Sequence, residues 1–588
     1  MKGLKYLAGL MAVGLSLSLF SGCDSQSSSV LTETTVVMSE STEDAEQNNK
    51  SEAVGNGLLV GNYDADDLDE SWSEGKATII KCNGESSEIS GNGIQADGNI
   101  LKITQAGTYV FSGKMSDGQI QVNADKNDVV HIVLGGLTAS SGSSSVIYGI
   151  QSKKIVITLA KGQENVLNDA SSYVYKNVSE DEPNACIFSK DDVSINGEGS
   201  LKIYGNYGDG ICSKGDLKII NGTYRITAAQ NGLQAETVLQ INGGSGSITS
   251  GGGSSNASYD ENGQIQEKWG QWGGQMGEQE PADSEMPGDG RTPVEESGIT
   301  TEDSGSSDSA KGLKGGVGIY LNGGDFTIDS SDDSIHCNGS VTVNDGTYIM
   351  DSGDDGIHAD QALRINGGIL QINKSYEGLE GMTVDIRDGE INVTSIDDGI
   401  NSAGGSDTLK NGRPGQNSFA SEDDCWIRIS GGDIYVKASG DGIDSNRNLY
   451  MDGGMLVVEG PEDSANGTLD YEGKAEISGG TFIGTGSSGM AMAFSNSSTQ
   501  CSVNVVVDTM LPSGTMVTVT DSSGKDILSV SPTKSFNCIQ ISSSLLVYGE
   551  IYTVTYGDGD SKEIRLDSVS VWSGQGAVGG SRGDQNHT

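Results

Sequence analysis

Short runs of alternating apolar and polar residues recur through most of the chain, each opened by a turn. Examples are Asn344-Asp-Gly-Thr-Tyr-Ile, Asn366-Gly-Gly-Ile-Leu-Gln-Ile, Arg387-Asp-Gly-Glu-Ile-Asn-Val, Ser430-Gly-Gly-Asp-Ile-Tyr-Val and Ser478-Gly-Gly-Thr-Phe-Ile. A period of two is that of a strand with one buried face. Between these runs stands a second motif: Ser331-Asp-Asp-Ser-Ile-His336, Gly353-Asp-Asp-Gly-Ile-His358, Tyr376-Glu-Gly-Leu-Glu380, Ile396-Asp-Asp-Gly-Ile-Asn401 and Gly440-Asp-Gly-Ile-Asp444. Acidic positions 333, 355, 377 and 398 are 22, 22 and 21 residues apart, and Asp463 follows Asp441 by 22. Gly208-Asp-Gly-Ile211 and Gln230-Asn-Gly-Leu233 carry the period upstream. A unit of this size holds two or three short strands and cannot bury its apolar side alone, whereas stacked units share one core. The pattern predicts an all-β fold: a right-handed parallel β-helix of about 22 residues per coil. A propeller blade needs about 40 residues, and neither a leucine-rich signature nor a nine-residue calcium roll is present.

The repeat occupies residues 57–496 and is interrupted by two Gly/Ser/Asn-rich insertions, about 252–308 and 403–423. Lengthening a surface loop costs little, so both read as loops leaving a coil. From 497 to 572 the period stops. Val503-Asn-Val-Val-Val, Met516-Val-Thr-Val-Thr, Asn537-Cys-Ile-Gln-Ile and Ile551-Tyr-Thr-Val-Thr predict a small antiparallel β domain covering the open end of the last coil. Residues 573–588 read as a disordered tail, in which Arg582-Gly583-Asp584 is a chance tripeptide.

The N-terminus changes the address. Residues 1–23 run from Met-Lys-Gly-Leu-Lys through an apolar stretch, Tyr6 to Phe20, to Ser21-Gly22-Cys23, a signal peptide with a lipobox-like site in which Phe20 replaces the usual Leu. The stretch is shorter than the roughly 20 residues that span a bilayer. Cys23 is therefore the expected lipid attachment point, residues 24–56 a disordered tether, and the predicted location the extracellular surface of a cell membrane, held by the N-terminal lipid alone. The seven other cysteines contain no CxxC and no His/Cys cluster, so neither zinc nor a fully paired disulfide framework is expected. Cys212 and Cys337 read as equivalent small buried residues in their repeats.

Charge narrows the partners. With 82 acidic against 35 basic residues, net −47, the chain repels nucleic acid and gathers cations. Equivalent residues of successive coils lie about 4.8 Å apart. Asp333, Asp355, Glu377, Asp398 and Asp441, with Asp463 as a further candidate, then form one file of carboxylates, thickened by Asp332, Asp354 and Asp397. An Asp-Gly corner needs one Asx side chain for its own backbone, not two. Recurring pairs point instead to Ca²⁺, which takes six to eight oxygen ligands in flexible geometry. Asp64-Ala-Asp-Asp and Asp558-Gly-Asp lack EF-hand spacing and read as turns.

Together Asn184-Ala-Cys-Ile-Phe-Ser-Lys-Asp-Asp192, Gly208-Asp-Gly-Ile-Cys-Ser-Lys214, Ser309-Ala-Lys-Gly-Leu-Lys314, Lys374-Ser-Tyr-Glu-Gly-Leu-Glu-Gly381, Asp397-Asp-Gly-Ile-Asn401 and Gly486-Ser-Ser-Gly-Met-Ala491 resemble the bacterial carbohydrate-binding-domain β-helix family over roughly residues 60 to 560. Ser334 departs from the turn Gly, as do Cys186, Cys212 and Cys337 at usually small positions. The resemblance implies a surface-exposed, calcium-binding, pectate-lyase-like solenoid that binds plant cell-wall polysaccharide such as polygalacturonate or cellulose. An anionic protein meets an anionic polymer through a bridging cation or a basic strip, for which Lys190, Lys214 and Lys314 in related coil positions are candidates, with Lys374 and Tyr376 beside Glu377. Two alternatives stay open: a calcium-dependent pectate-type lyase, needing a Lys or Arg base beside a bridged uronate, and a structural adhesin or spacer. A monomer is expected.

Overall fold

A computed structural model describes residues 35–38, 63–175, 177, 181–257, 310–403 and 424–574. The signal peptide with Cys23, most of the tether, most of both insertions and the tail lie outside the described residues. Within them the chain is nearly all β, with parallel strands stacked in register as a solenoid. The alternation explains why. Along the first strand of each coil Ile211 pairs with Leu233, and the column continues through Leu313, Ile335, Ile357, Leu379, Ile400, Ile443 and Leu469. Each of these is buried. Burying one such side chain stabilises by about 1.5–3 kcal/mol, so the column is a main source of cohesion between coils. A second column, Val341, Leu363, Val384, Ile427 and Leu449, and a third, Tyr348, Leu370, Ile391, Ile434 and Leu456, close the core.

Tyr224, Phe326 and Tyr348 stack within the third column with 6.3 Å between successive ring centroids. The coil between Tyr224 and Phe326 contributes Gly246, where a Cβ would lie 2.0 Å from the Tyr224 carbonyl oxygen. Gly246 therefore lets the rings close across a coil too tight for any side chain.

At the C-terminal end, Ser502–Leu511 and Phe536–Ser542 pair antiparallel, and Phe536–Ser542 also pairs antiparallel with Thr481–Gly486, the third strand of the last coil. A second apolar cluster joins Val457 and Ile483 of the solenoid to Val503, Val505, Ile539 and Ile541. A five-stranded antiparallel sheet follows, in the order Thr35–Met38, Asp526–Ser531, Val517–Asp521, Ile551–Tyr556, Asp560–Arg565. Its edge strand Thr35–Met38 comes from the span read as a tether.

Three readings are corrected. Asp64-Ala-Asp-Asp is not a plain turn: Ala65–Leu68 form one helical turn, and its Asp67 is fully buried against Lys154 Nζ at 2.7 Å and Lys218 Nζ at 3.2 Å. Two lysines that point out of the solenoid thus find their carboxylate in the preceding segment. Cys212 and Cys337 are not equivalent, since Cys212 aligns through Gln234 and Lys314 with His336. One residue of register reverses the face of a strand. Cys337 therefore sits in the main core, while Cys212 packs outside it with Phe188 and Ala185. Asp463 leaves the acidic file, because the coil is longer there and Gly467 takes the position after Asp441. The seven cysteines among the described residues are all free thiols and buried.

Candidate functional site

After its third strand each coil turns a corner at the Asp-Gly motif, and the corners stack. Asp209, Asn231, Lys311, Asp333, Asp355, Glu377, Asp398, Asp441 and Gly467 follow one another, the carbonyl of each accepting the N–H of the residue after its predecessor. The turn glycine is set by close approach: a Cβ on Gly399 would lie 2.2 Å from Val436 Cγ1 and 2.5 Å from the Gly442 carbonyl oxygen. Ser334 stands in that Gly position, buried, with its hydroxyl 2.6 Å from Ser352 Oγ and 3.2 Å from Ser330 Oγ, and Cys186 and Thr468 hold the same position in the coils of Ala185 and Gly467.

One oxygen of most acids in the file has a structural task. Asp209 Oδ1 accepts the Asn231 N–H at 2.9 Å, Asp333 Oδ1 that of Asp355 at 3.0 Å, and Asp355 Oδ1 that of Glu377 at 3.1 Å. Asp398 Oδ1 accepts from Asp441 at 2.6 Å, and Asp441 Oδ1 from Gly467 at 2.6 Å. The turn therefore engages one carboxylate oxygen and leaves the other to further partners, as Asp333 Oδ2 is to Lys311.

Sequence reasoning missed a second file, three residues after the first: Phe188, Cys212, Gln234, Lys314, His336, His358, Glu380, Asn401, Asp444 and Asp470. The residue after the buried Ile or Leu of each turn motif marks it, and its polarity at a place flanked by apolar residues was the available signal. Along this corner three clusters converge among the described residues, each with its donor atoms within 4.8 Å of one another: Asp332, Asp333 and Asp354; Asp355, His358 and Glu380; Asp398, Asp441 and Asp444.

The first two clusters carry cations of their own. Lys311 Nζ lies 2.6 Å from Asp333 Oδ2 and 3.2 Å from Asp332 Oδ1. His336 Nδ1 is 2.8 Å from Asp333 Oδ2. Burial pushes Asp333 up, but Lys311 and His336 together hold it well below the usual carboxylate range. His358 has Asp355 and Glu380 on Nδ1, at 3.1 and 2.7 Å, and Asp360 on Nε2 at 3.3 Å. Burial favours its neutral form, yet these three carboxylates raise it well above the ordinary imidazole value. The His336 and His358 rings stack 5.0 Å apart. Even so, burial and neighbouring acids push Asp354 and Asp355 well above the usual range.

The third cluster is different. Among the described residues no Lys, Arg or His pairs with Asp398, Asp441 or Asp444. Burial, and then the acids around each, push Asp398 up to about 9 and Asp444 to about 7. Burial also raises Asp441, to about 6, against its bond from Gly467. Asn401, next to Asp444 in register, is buried, and its Oδ1 has no hydrogen-bond partner while its Nδ2 donates to Glu377 Oε2 at 2.8 Å. Glu377 is raised well above its usual value by burial and by Glu380 and Asp355. A buried orphan carbonyl oxygen beside three crowded carboxylates is an all-oxygen donor set, which suits a hard divalent cation of Ca²⁺ type.

The remaining residues singled out by sequence spread over several places. Lys190 and Lys214 share one register position and one partner, Glu182, at 3.2 and 3.3 Å. Lys314 does not extend that strip, because the strand alternation sets it in the second file, in register with His336. Lys374 Nζ donates to the Ser254 carbonyl at 3.0 Å. Tyr376 lies beside Glu377, with its hydroxyl on Asp397. An open groove of about 610 Å³ runs along another corner past Asp345, Gly368, Asp388, Glu390 and Asp433. It contains none of the three clusters.

Comparison with known proteins gives three findings. The family model described as carbohydrate-binding domain-containing protein matches residues 97–356 and 354–559. A carbohydrate-binding domain-containing protein of Acetivibrio thermocellus is 37% identical over 152 residues, 26% of this chain and 53% of the relative, so the chain spans about half the length of the curated relative it matches. A solved polysaccharide lyase-like protein from C. thermocellum, a gadolinium derivative, is 28% identical, with 49% of this chain and 96% of that chain covered at a TM-score of 0.37. By the extent of the family match, this chain belongs to the carbohydrate-binding domain-containing proteins.

Proposed function

We propose that the protein is a lipid-anchored, cell-surface, polysaccharide-binding module in which Ca²⁺ neutralises the acidic corner and links it to acidic sugars. In this reading the solenoid is a right-handed β-helix with coils of about 22 residues, closed by the small C-terminal antiparallel β domain. Cys23 carries the lipid, and the module works as a monomer. The observation that carries the calcium assignment is the third cluster. Asp398, Asp441 and Asp444, with Asn401 Oδ1 and Glu377 beside them, offer oxygens only, and among the described residues no Lys, Arg or His pairs with the three aspartates. These residues would hold the ion, whose bound form supplies positive charge to a uronate carboxylate that the protein alone would repel. Asp332, Asp333, Asp354, Asp355 and Asp397 are further oxygen sources along the same corner.

Lys190 and Lys214 would donate to sugar hydroxyls or carboxylates from the same corner six to eight coils away. Lyase chemistry would need a free basic side chain beside the bridged sugar. Of the basic side chains that could serve, Lys190 and Lys214 are paired with Glu182, Lys374 donates to the Ser254 carbonyl, and Arg364 Nε faces Asp385 Oδ2 at 3.4 Å. Binding is therefore the reading these contacts favour. The test is retention of the chain lacking residues 1–23 on polygalacturonate and on cellulose, with calcium and with chelator, while absorbance of unsaturated products is followed. Calcium-dependent retention on polygalacturonate without new absorbance is expected. Rising absorbance would make the protein a lyase, and no retention on either polymer would leave a structural rod.

A further inference from the structure

The corner that carries the acidic files begins, at its N-terminal end, with rings. Between the strands Glu164–Asn168 and Ala185–Ser189 the chain makes a long excursion, whereas the next coil passes from Gly205 to Asp209 at once. The excursion brings Tyr173 and Tyr175 over Tyr207 of that next coil. Tyr173 and Tyr207 are stacked, with centroids 4.2 Å apart and planes at 16°, and Tyr175 meets Tyr207 edge-on at 6.4 Å. The rings are fixed from below. Tyr173 donates to Asp169 Oδ2 at 2.7 Å and to the Ala185 carbonyl at 3.0 Å, and Tyr175 donates to the Pro183 carbonyl at 2.8 Å. Asn206 ties the next coil to the same aspartate, its backbone N–H donating to Asp169 Oδ1 at 2.5 Å.

Such rigid aromatic clusters ordinarily fill a core. Here Tyr207 keeps 36% of its surface in solvent, and neighbouring Tyr204 keeps 38% and Val174 76%. Ala185 stands in the acidic-file position itself, directly before Asp209, so the platform and the acids share one corner. Polar groups surround the rings. Lys190 and Lys214 pair with Glu182, Lys214 also with Glu236 at 3.1 Å, and Asn184 Oδ1 is buried with no hydrogen-bond partner. Asp169, Asp181 and Asp209 stand there as well, so the surroundings are acidic and the two lysines offset them only in part.

We propose that Tyr173, Tyr175 and Tyr207 form a sugar-stacking platform for an uncharged polysaccharide of equatorially substituted pyranoses, a β-linked glucan. The inference rests on the polysaccharide-binding reading and gives it a second, calcium-independent subsite. The physical grounds are direct. A pyranose whose hydroxyls are equatorial presents axial C–H bonds on each face, and these match the negative face of an aromatic ring. The hydroxyl rim is then left to meet Asn184, Lys190, Lys214 and Glu182. Because the rings are already stacked and hydrogen-bonded, little side-chain freedom is lost on binding. Acidic surroundings only partly offset by lysine disfavour an anionic chain and leave an uncharged one unaffected. From Asp209 to Asp398 the file climbs six coils, about 29 Å at 4.8 Å per coil. One polymer lying along the corner can reach both subsites.

The measurement is calorimetric titration of the chain lacking residues 1–23 with cellohexaose, in calcium and in chelator, alongside its retention on polygalacturonate. Tyr207→Leu keeps the apolar packing and loses the ring, Tyr207→Phe keeps the ring, and Tyr548→Ala removes an exposed tyrosine of the C-terminal domain. The expected result is cellohexaose binding that chelator leaves unchanged, weakened about tenfold or more by Tyr207→Leu. Tyr207→Phe and Tyr548→Ala should bind like the wild type, and calcium-dependent retention on polygalacturonate should persist in Tyr207→Leu. Melting temperatures report whether each variant is folded, and Tyr175→Ala repeats the test if Tyr207→Leu is not. If the wild type binds cellohexaose and ring loss at both positions changes nothing, the platform is overturned while the polysaccharide reading stands. A wild type that binds polygalacturonate but not cellohexaose also overturns the platform. A wild type that binds neither overturns the polysaccharide reading and the platform with it.

Discussion

Two neighbouring stretches of one corner solve the same electrostatic problem differently. From Lys311 to Glu380 the protein supplies its own cations: Lys311 and His336 face Asp333, and His358 faces Asp355, Glu380 and Asp360. From Asp398 to Asp444 the same backbone, the same turn and the same Oδ1-to-N–H bonds recur with no cation from the described residues. Backbone geometry is thus not what distinguishes a self-neutralised coil from one whose acids have no protein cation among the described residues. The identities at two register positions are. A lysine or histidine in either file neutralises the acids from within, and an asparagine or aspartate there leaves them without a protein cation among the described residues.

The comparison breaks most visibly at Lys311. In Lys311→Met the acids Asp332, Asp333 and Asp354 lose their buried lysine while the chain keeps similar bulk. Removing one partner of a buried pair costs about 3–5 kcal/mol, so the expected result in chelator is a large drop in the denaturation midpoint. Calcium should restore part of it, because three donors already converge there. A variant that falls equally far with and without calcium would show that this stretch cannot be converted. Next in size is the response of the wild type. Calcium at a hundredfold excess over its dissociation constant should stabilise the fold by about 2.7 kcal/mol. Asp398→Asn combined with Asp444→Asn should abolish that gain, and a gain that survives the pair would place the ion elsewhere.

Much of the fold was legible because alternation and the 22-residue spacing are set by stacking itself: Ile335, Ile357 and Leu379 must face inward wherever the coil repeats. The first file was legible for the same reason, since Asp is kept there by its bond to the next coil's N–H. The second file was not, because its residues change from Phe188 and Cys212 to Lys314, His358 and Asp444, so the position after the buried Ile or Leu shows no constant chemistry. Lys311 was hidden in another way. It stands in register with Asn231 across an insertion of more than 50 residues, so spacing could not reveal it. The tyrosine platform is assembled by an irregular excursion that follows no period.

Acidity sharpens the contrast through the third cluster. Asp398, Asp444 and Asp441 titrate in the folded metal-free chain at about 9, 7 and 6, above an ordinary carboxylate. A carboxyl raised by folding binds more protons folded than unfolded. Its stabilisation is therefore complete below the unfolded value, near pH 4, and is lost as pH climbs through the folded one. Metal-free protein should lose stability between pH 5 and 9, by up to about 1.4 kcal/mol per pH unit for each group titrating. Saturating calcium should flatten the curve. A metal-free midpoint that rises with pH over that window would contradict the assignment.

The smallest effect separates the turn from the charge. Asp209 occupies the first file at its N-terminal end, where Oδ1 accepts both the backbone N–H and the side-chain Nδ2 of Asn231, at 2.9 and 3.0 Å. Burial pushes Asp209 up to about 6 despite these bonds, and no metal-type cluster of the described residues includes it. An asparagine keeps the accepting oxygen and removes only the charge, so Asp209→Asn should leave calcium affinity untouched and, above about pH 6, stabilise the fold by relieving a buried carboxylate. Asp441→Asn makes the same chemical change two coils beyond Glu377 and also preserves the bond from Gly467. There calcium affinity should fall, because the lost charge faces Asp398 and Asp444. Equal behaviour of the two variants in a calcium titration would mean that the file is a turn device throughout, and unequal behaviour would locate where along it the ion chemistry begins.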